Sequence, residues 1–281
     1  MLSHSTLDRF KVSKEELTKL GEEFNSEAMP ILKNLYNTSF WILLNNKFAE
    51  KIIKQTFLET IENCNVTKNS AKWDDWIFRI WMREILDFYS KKENDTQTIF
   101  DFIDHAEIIF NELASFTNSN KIKSDSSEKE LINSLEMLPS VLRIPMIMKE
   151  IYPFNYEKIA ELIDVPVGVI ATRIFRARKL LYLSGKKNFH FEDEKKKWAN
   201  REPTKKIFEL RKCAFLVDNE FNQDQKSAFT EVLKNNPNYE TELLIQGEVK
   251  KLLNNCSAES ALIVQIESKI ERKVRKKFNQ Q

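Results

Sequence analysis

Thr172, Arg173, Arg176 and Arg178 fall close together in the sequence. Residues three and four apart on a helix are neighbours, so Thr172, Arg173 and Arg176 would share one face. Guanidinium groups on such a face offer planar, forked donors that fit guanine edges and phosphate oxygens. The chemistry this pattern suits is recognition of a polyanion. The alternative is a helix whose arginines are simply solvated.

Two short helices joined by a tight turn would position that face. Ile159, Leu162 and Ile163 repeat at helical spacing ahead of it, and Ala160 is small where a partner helix would cross. Asp164 suits the turn, and Pro166 suits a helix start, where its missing N–H costs nothing. In the second helix Val169, Ile170, Ile174 and Ala177 are the residues expected to face inward. The pattern predicts a helix-turn-helix, a unit that lays its second helix in the major groove of DNA.

Little else in the chain could do chemistry of its own. No Gly-rich phosphate loop, nucleophile elbow or recognisable carboxylate pair occurs, so an enzyme is not expected. Cys64, Cys213 and Cys256 are scattered, as are His4, His105 and His190, so neither a disulfide framework nor a metal site is expected. No cofactor is implied. No apolar run approaches the ~20 residues that span a bilayer, and no apolar signal core opens the chain, so a cytoplasmic protein with no membrane insertion is expected.

Composition points to an all-α fold. Only 4 of 281 residues are Gly, and apolar residues recur at helical spacing almost throughout. Lys and Arg number 44 against 42 Asp and Glu, so the balance excludes little, but the distribution is uneven. Glu93 to Asn120 holds acidic residues and no Lys or Arg, whereas Ala171 to Lys187 holds basic residues and no acid. Segregated charge suggests separate jobs. On charge alone the acidic stretch reads as a solvated helix face.

Upstream, Leu32, Leu35, Tyr36, Phe40, Leu43 and Leu44 form one apolar stripe; Ile52, Ile53, Phe57 and Ile61 form a second. A polar loop, Asn63 to Lys72, precedes Trp73, Trp76, Phe78 and Trp81. Aromatics beside a polar loop either stack on unpaired bases, at ~1–3 kcal/mol each, or fill a core. Core is the expected place for Trp76 and Ile80, and Trp73 at the loop edge is the better base contact. Lys72, Arg79 and Arg83 would reach phosphates or water.

These segments carry a family resemblance. Leu135-Glu136-Met137-Leu138-Pro139, the Tyr156-Glu157-Lys158-Ile159-Ala160 helix, Gly168 to Arg173 and Arg176-Ala177-Arg178 together resemble the −35-binding domain of extracytoplasmic-function sigma factors. Ala49 to Leu58 resembles that family's polymerase-docking helix, and Trp76-Ile77-Phe78-Arg79-Ile80 with Asp87 resembles its −10 helix. The resemblance implies these parts: an N-terminal arm, 1–23; region 2, 24–95; an acidic linker, 96–128; and a region 4 helix-turn-helix, 129–186. It implies polymerase contacts by Glu50, Gln55 and Phe57, −10 contacts by Trp73, Arg79 and Arg83, and −35 contacts by Thr172, Arg173, Arg176 and Arg178. The implied partners are promoter DNA and core RNA polymerase, through the clamp of its largest subunit and the flap of the second-largest. Lys51 and Lys54 depart from the family pattern, which suggests an adapted polymerase, an unusual promoter or a separate targeting factor. The rival reading is a helix-turn-helix regulator that binds operator DNA by itself.

Residues 187–281 form a further helical extension. Phe215 to Phe221 and Val232 to Leu243 resemble the zinc-binding type of anti-sigma domain. Its ligand positions fall on Val232, Asn236 and Tyr239, and Cys213 is displaced from the remaining one, so the resemblance implies the shape without the metal. The extension is expected either to clamp the two modules or to be a packing module. The basic tail, Lys269 to Lys277, would touch DNA nonspecifically or be a soluble helix end.

Overall fold

The computed structural model describes residues 14–63, 72–92, 128–152, 154–184, 209–236, 238–254 and 260–278. Every regular element among the described residues is helical, as an all-α fold requires. Residues 1–13, most of the acidic linker, the 187–203 stretch, Cys64 and Cys256 lie outside the described residues.

The chain divides into two units, Met1–Phe88 with Ser257–Gln281, and Tyr89–Cys256. In the first, α1 (Lys14–Glu23) runs through a π turn and a 3-10 turn into α2 (Leu32–Leu43). Leu32, Leu35, Tyr36, Trp41 and Ile42 are all buried, so α2 is covered on more than one face. It stops at Leu44, which adopts the left-handed conformation (φ 54°) and returns its N–H to the Phe40 carbonyl. Asn45 then accepts from the N–H groups of Lys47 (3.0 Å) and Phe48 (3.1 Å), satisfying donors that open α3 (Asn46–Asn63).

Helix α3 buries Ala49, Ile52, Ile53, Thr56, Phe57, Thr60 and Ile61, one stripe at helical spacing. Helix α4 (Trp73–Lys92) follows, with Asp74 and Asp75 in its first turn, where carboxylates complement the helix dipole. Its Trp81 is fully buried and donates from Nε1 to the Ser39 hydroxyl at 2.8 Å, so the indole loses no hydrogen bond inside.

The second unit contains α5 (Glu128–Glu136), α6 (Ser140–Glu150), α7 (Tyr156–Ile163) and α8 (Val167–Ser184). Pro139, extended at ψ 142°, separates α5 from α6. Asn155 caps α7 by accepting from the Lys158 N–H at 2.8 Å. Asp164 ends it in the left-handed conformation (φ 59°), and α8 begins after Pro166. Ile159, Ile170, Ile174 and Ala177 are buried and Val169 is half-buried, so the turn chemistry and most of the inward stripe expected of a helix-turn-helix are present.

The extension does not stay in one piece. Helices α9 (Lys212–Val217), α10 (Gln223–Lys234) and α11 (Asn238–Asn254) belong to the second unit, where α9 and α11 pack on α8. Helix α12 (Ser260–Phe278) belongs to the first, where it packs on α1, α2 and α3. A chain of rings, Phe215, Phe221, Phe229 and Tyr239, links the elements of the second-unit part at centroid spacings of 5.4, 5.7 and 5.5 Å. Tyr239, one of the ligand positions in the anti-sigma pattern, is buried edge-on to Phe229, while Val232 is exposed.

Candidate nucleic-acid and polymerase interfaces

The basic face expected to point outward on α8 is covered in this conformation. Arg173 and Arg176 are only 4% and 3% exposed, and Arg178 is fully buried. Thr172 is half-buried; its hydroxyl donates to the Gly168 carbonyl (2.8 Å) and receives Nη1 of Arg211 at 3.1 Å. The same Arg211 nitrogen reaches the Gly168 carbonyl at 3.0 Å.

Further along α8, Gln246 donates to the Phe175 carbonyl (3.1 Å) and Glu242 pairs with Lys179 at 2.6 Å. Gly168, Thr172, Phe175 and Lys179 run down one side of the helix, and residues of the extension contact each of them.

Arg178 corrects the expectation of a DNA contact. Its guanidinium lies inside the second unit between Glu150 of α6 and Asp218 of the extension, reaching the two Asp218 oxygens at 2.8 and 2.9 Å. Tyr156 also donates to Asp218 (2.6 Å), as does Lys250 (2.9 Å). Burial pulls an arginine's pKa down, but the two carboxylates outweigh it and push Arg178 up. Burial raises Asp218, and Arg178 outweighs that, holding its carboxyl below the usual range. Glu150 goes the other way, because burial dominates and raises it. A charge held this deeply by two carboxylates is structural, and local spacing gives no signal of partners 28 and 40 residues away.

In the first unit the expected polymerase contacts separate into two kinds. Glu50 and Gln55 line an open hollow of about 730 Å³ along α3, together with Lys51, Lys54, Leu58 and Glu59. Phe57 is fully buried, with its ring edge-on to Phe24 at 6.0 Å; it holds α3 in place and cannot be a surface contact. Its spacing from Ile53 and Ile61 carried that signal. Lys54 pairs with Glu50, so one of the two departures in charge is answered within α3. That bond, with Lys269 of α12 at 3.2 Å, keeps the Glu50 carboxyl below its usual pKa. Ile266, Ile270 and Val274 of α12 are buried at four-residue spacing, and Lys277 donates to the Ile61 carbonyl.

Around the −10 helix, Trp73 is half-buried, edge-on to Phe24 (5.5 Å) and tilted against Trp76 (6.0 Å). Ile80 is buried as expected, whereas Trp76 keeps part of its surface. Arg79 is exposed. Arg83 pairs with Glu59 of α3 and with Glu84 at 3.3 Å. No helix among the described residues is long and apolar enough to cross a membrane.

Comparison with known proteins agrees with this architecture. A family profile, sigma-70 region 4, matches residues 128–181, the span from α5 into α8. The ECF RNA polymerase sigma-E factor of Haemophilus influenzae is 19% identical over 178 residues, covering 61% of this chain and 94% of that protein. The ECF RNA polymerase sigma factor SigW of Bacillus subtilis is 25% identical over 179 residues, 59% of this chain and 91% of that one. The sigma-E factor of Escherichia coli is 36% identical over 62 residues, 22% of this chain and 32% of its own. The chain is thus similar to extracytoplasmic-function sigma factors over nearly the full length of two of them, with a region 4 match that falls on the helix-turn-helix.

Proposed function

We propose that the protein is an alternative sigma factor whose own C-terminal helices restrain it. It binds core RNA polymerase, directs it to selected promoters and, like sigma factors in general, is not an enzyme. The observation that carries the restraint is the occupied recognition helix: Arg211, Asp218, Glu242 and Gln246 of the extension hold α8 along one side. Tethering makes such cover effective, since a linked domain acts at millimolar effective concentration. Release would return Thr172, Arg173 and Arg176 to −35 DNA.

In region 2, Glu50 and Gln55 would meet the polymerase clamp, and α12 lies beside them on α3. Trp73, Arg79 and Arg83 would serve the −10 element, with Arg83 first leaving Glu59. Region 4 would meet the flap. An anti-sigma or targeting factor would act by favouring the closed or open form, and the site of action is the cytoplasm.

Size-exclusion co-elution with bacterial core polymerase tests this reading. The native chain is expected to bind weakly, and Ile270→Asp, which puts a charge under α12, to bind more tightly. DNA binding by chains that never co-elute with polymerase would establish an operator-binding regulator instead.

A further inference from the structure

Helix α12 has two surfaces in different surroundings. Ile266, Ile270 and Val274 are buried against the first unit, so the apolar stripe is already occupied. Arg272, Lys273, Arg275 and Lys276 are all exposed. Arg272 lies three residues from Arg275 and four from Lys276, and Lys273 lies three from Lys276, so the four are neighbours on one surface. Elsewhere in the unit cations meet carboxylates: Lys54 and Lys269 both reach Glu50, and Arg83 reaches Glu59. Among the described residues no ion pair answers these four, and even Glu271, one turn before Arg275, does not pair with it.

Such a cluster works against the helix that carries it. Like charges three and four residues apart repel, and Arg272 stands close enough to Lys269 to add to that repulsion. The helix dipole favours cations in the last turn, which accounts for Arg275 and Lys276. It does not account for Arg272 and Lys273, which precede that turn.

Several anionic partners could neutralise the cluster, and its surroundings discriminate among them. A membrane takes up a basic helix through its apolar face as well as its charge, and here that face is packed on α1, α2 and α3. A protein interface has an apolar or aromatic centre from which lysine is depleted, and no exposed apolar residue stands among the four. A single strand is held by stacking on aromatic rings, and this surface offers none. Duplex DNA needs only closely spaced charge. Arg272 to Lys276 spans ~6 Å of helix at ~1.5 Å per residue, a length over which a duplex presents about three or four phosphates.

We propose that Arg272, Lys273, Arg275 and Lys276 form a surface that holds the phosphate backbone of duplex DNA without reading its sequence. The hold needs neither α8 nor polymerase, so it stands apart from the sigma-factor reading. The full-length chain is titrated with a short duplex of arbitrary sequence across a salt series. Beside it are run one variant carrying Arg272→Gln, Lys273→Gln and Lys276→Gln, and a second carrying Arg272→Lys, Lys273→Arg and Lys276→Arg. Losing three phosphate contacts should flatten the slope of log K against log salt by about 2.7 in the first variant, while the second keeps the native slope. An unchanged slope in the first variant, or no duplex binding by the native chain at low salt, overturns the surface. Loss of slope in both variants alike would trace the effect to an unseated helix and overturn it too. So would tighter binding to a single strand of the same length, or to phosphatidylglycerol vesicles, than to the duplex.

Discussion

Replacing Asp218 with Ala removes the centre of the contact between the extension and the helix-turn-helix. Three bonds go at once: the paired contact to Arg178, the Tyr156 hydroxyl at 2.6 Å and the Lys250 ammonium at 2.9 Å. Breaking a buried ion pair from one side costs ~3–5 kcal/mol when a charge is left uncompensated. Glu150 stays beside Arg178, so that charge keeps one partner and the lower end applies. The stranded Tyr156 hydroxyl belongs to the same loss, which we place at ~3 kcal/mol. At 1.4 kcal/mol per tenfold, the closed form should weaken by roughly 10²-fold.

Cys213 reports that change directly. It is fully buried in α9, and burial raises its thiol pKa, so the closed chain protects it from thiol reagents. With Cys64 and Cys256 changed to Ser, the labelling rate of Cys213 follows the open population. Asp218→Ala should raise it ~10²-fold if closure sets the rate. A rise of less than threefold, with helix content retained, would refute the claim that Asp218 holds the extension down.

Four further outcomes follow from the geometry. Phe57→Ala should cost the first unit ~3–5 kcal/mol in a melting experiment, while Gln55→Ala leaves stability unchanged and weakens polymerase co-elution. Arg173→Ala with Arg176→Ala, placed in the released chain, should reduce discrimination for −35 DNA without reducing polymerase binding. Ile270→Asp should increase hydrogen exchange in α12 while leaving α9 to α11 protected, since the two parts belong to different units. Acid should act with two signs on the second unit. Glu150 is raised above 4.5, so stability grows as pH falls from that raised value towards 4.5. Asp218 is depressed below 3.8, so its contribution is full above 3.8 and is lost as pH falls through the depressed value. Denaturant midpoints across that range should pass through a maximum; a monotonic series would contradict the assigned shifts.

The helix-turn-helix was legible because each of its signals is local. Asp164 at a left-handed cap, Pro166 at a helix start and apolar residues at helical spacing lie within a few positions of one another. The α3 stripe was legible for the same reason, and there periodicity judged Phe57 better than motif likeness did. The burial of Arg178 and Lys179 was not legible. An arginine among basic neighbours looks solvated until its carboxylates arrive, and those sit 28, 40 and 63 positions away. The division of the extension left a faint trace in Ile266, Ile270 and Val274, a stripe that had to pack on something but whose partner the spacing could not name.

The helices that cover α3 and α8 lie on the same polypeptide as the helices they cover. If that cover restrains the protein as proposed, each newly made molecule arrives with its own inhibitor at a ratio of one to one, whatever the level of expression. A separable inhibitor can be outnumbered, so its target escapes when synthesis rises. Here making more protein makes more of both halves, and abundance alone releases nothing. Under that proposal control would come from an event on the individual molecule that loosens a contact such as Asp218 with Arg178, and the response would be graded by signal strength and indifferent to gene dosage.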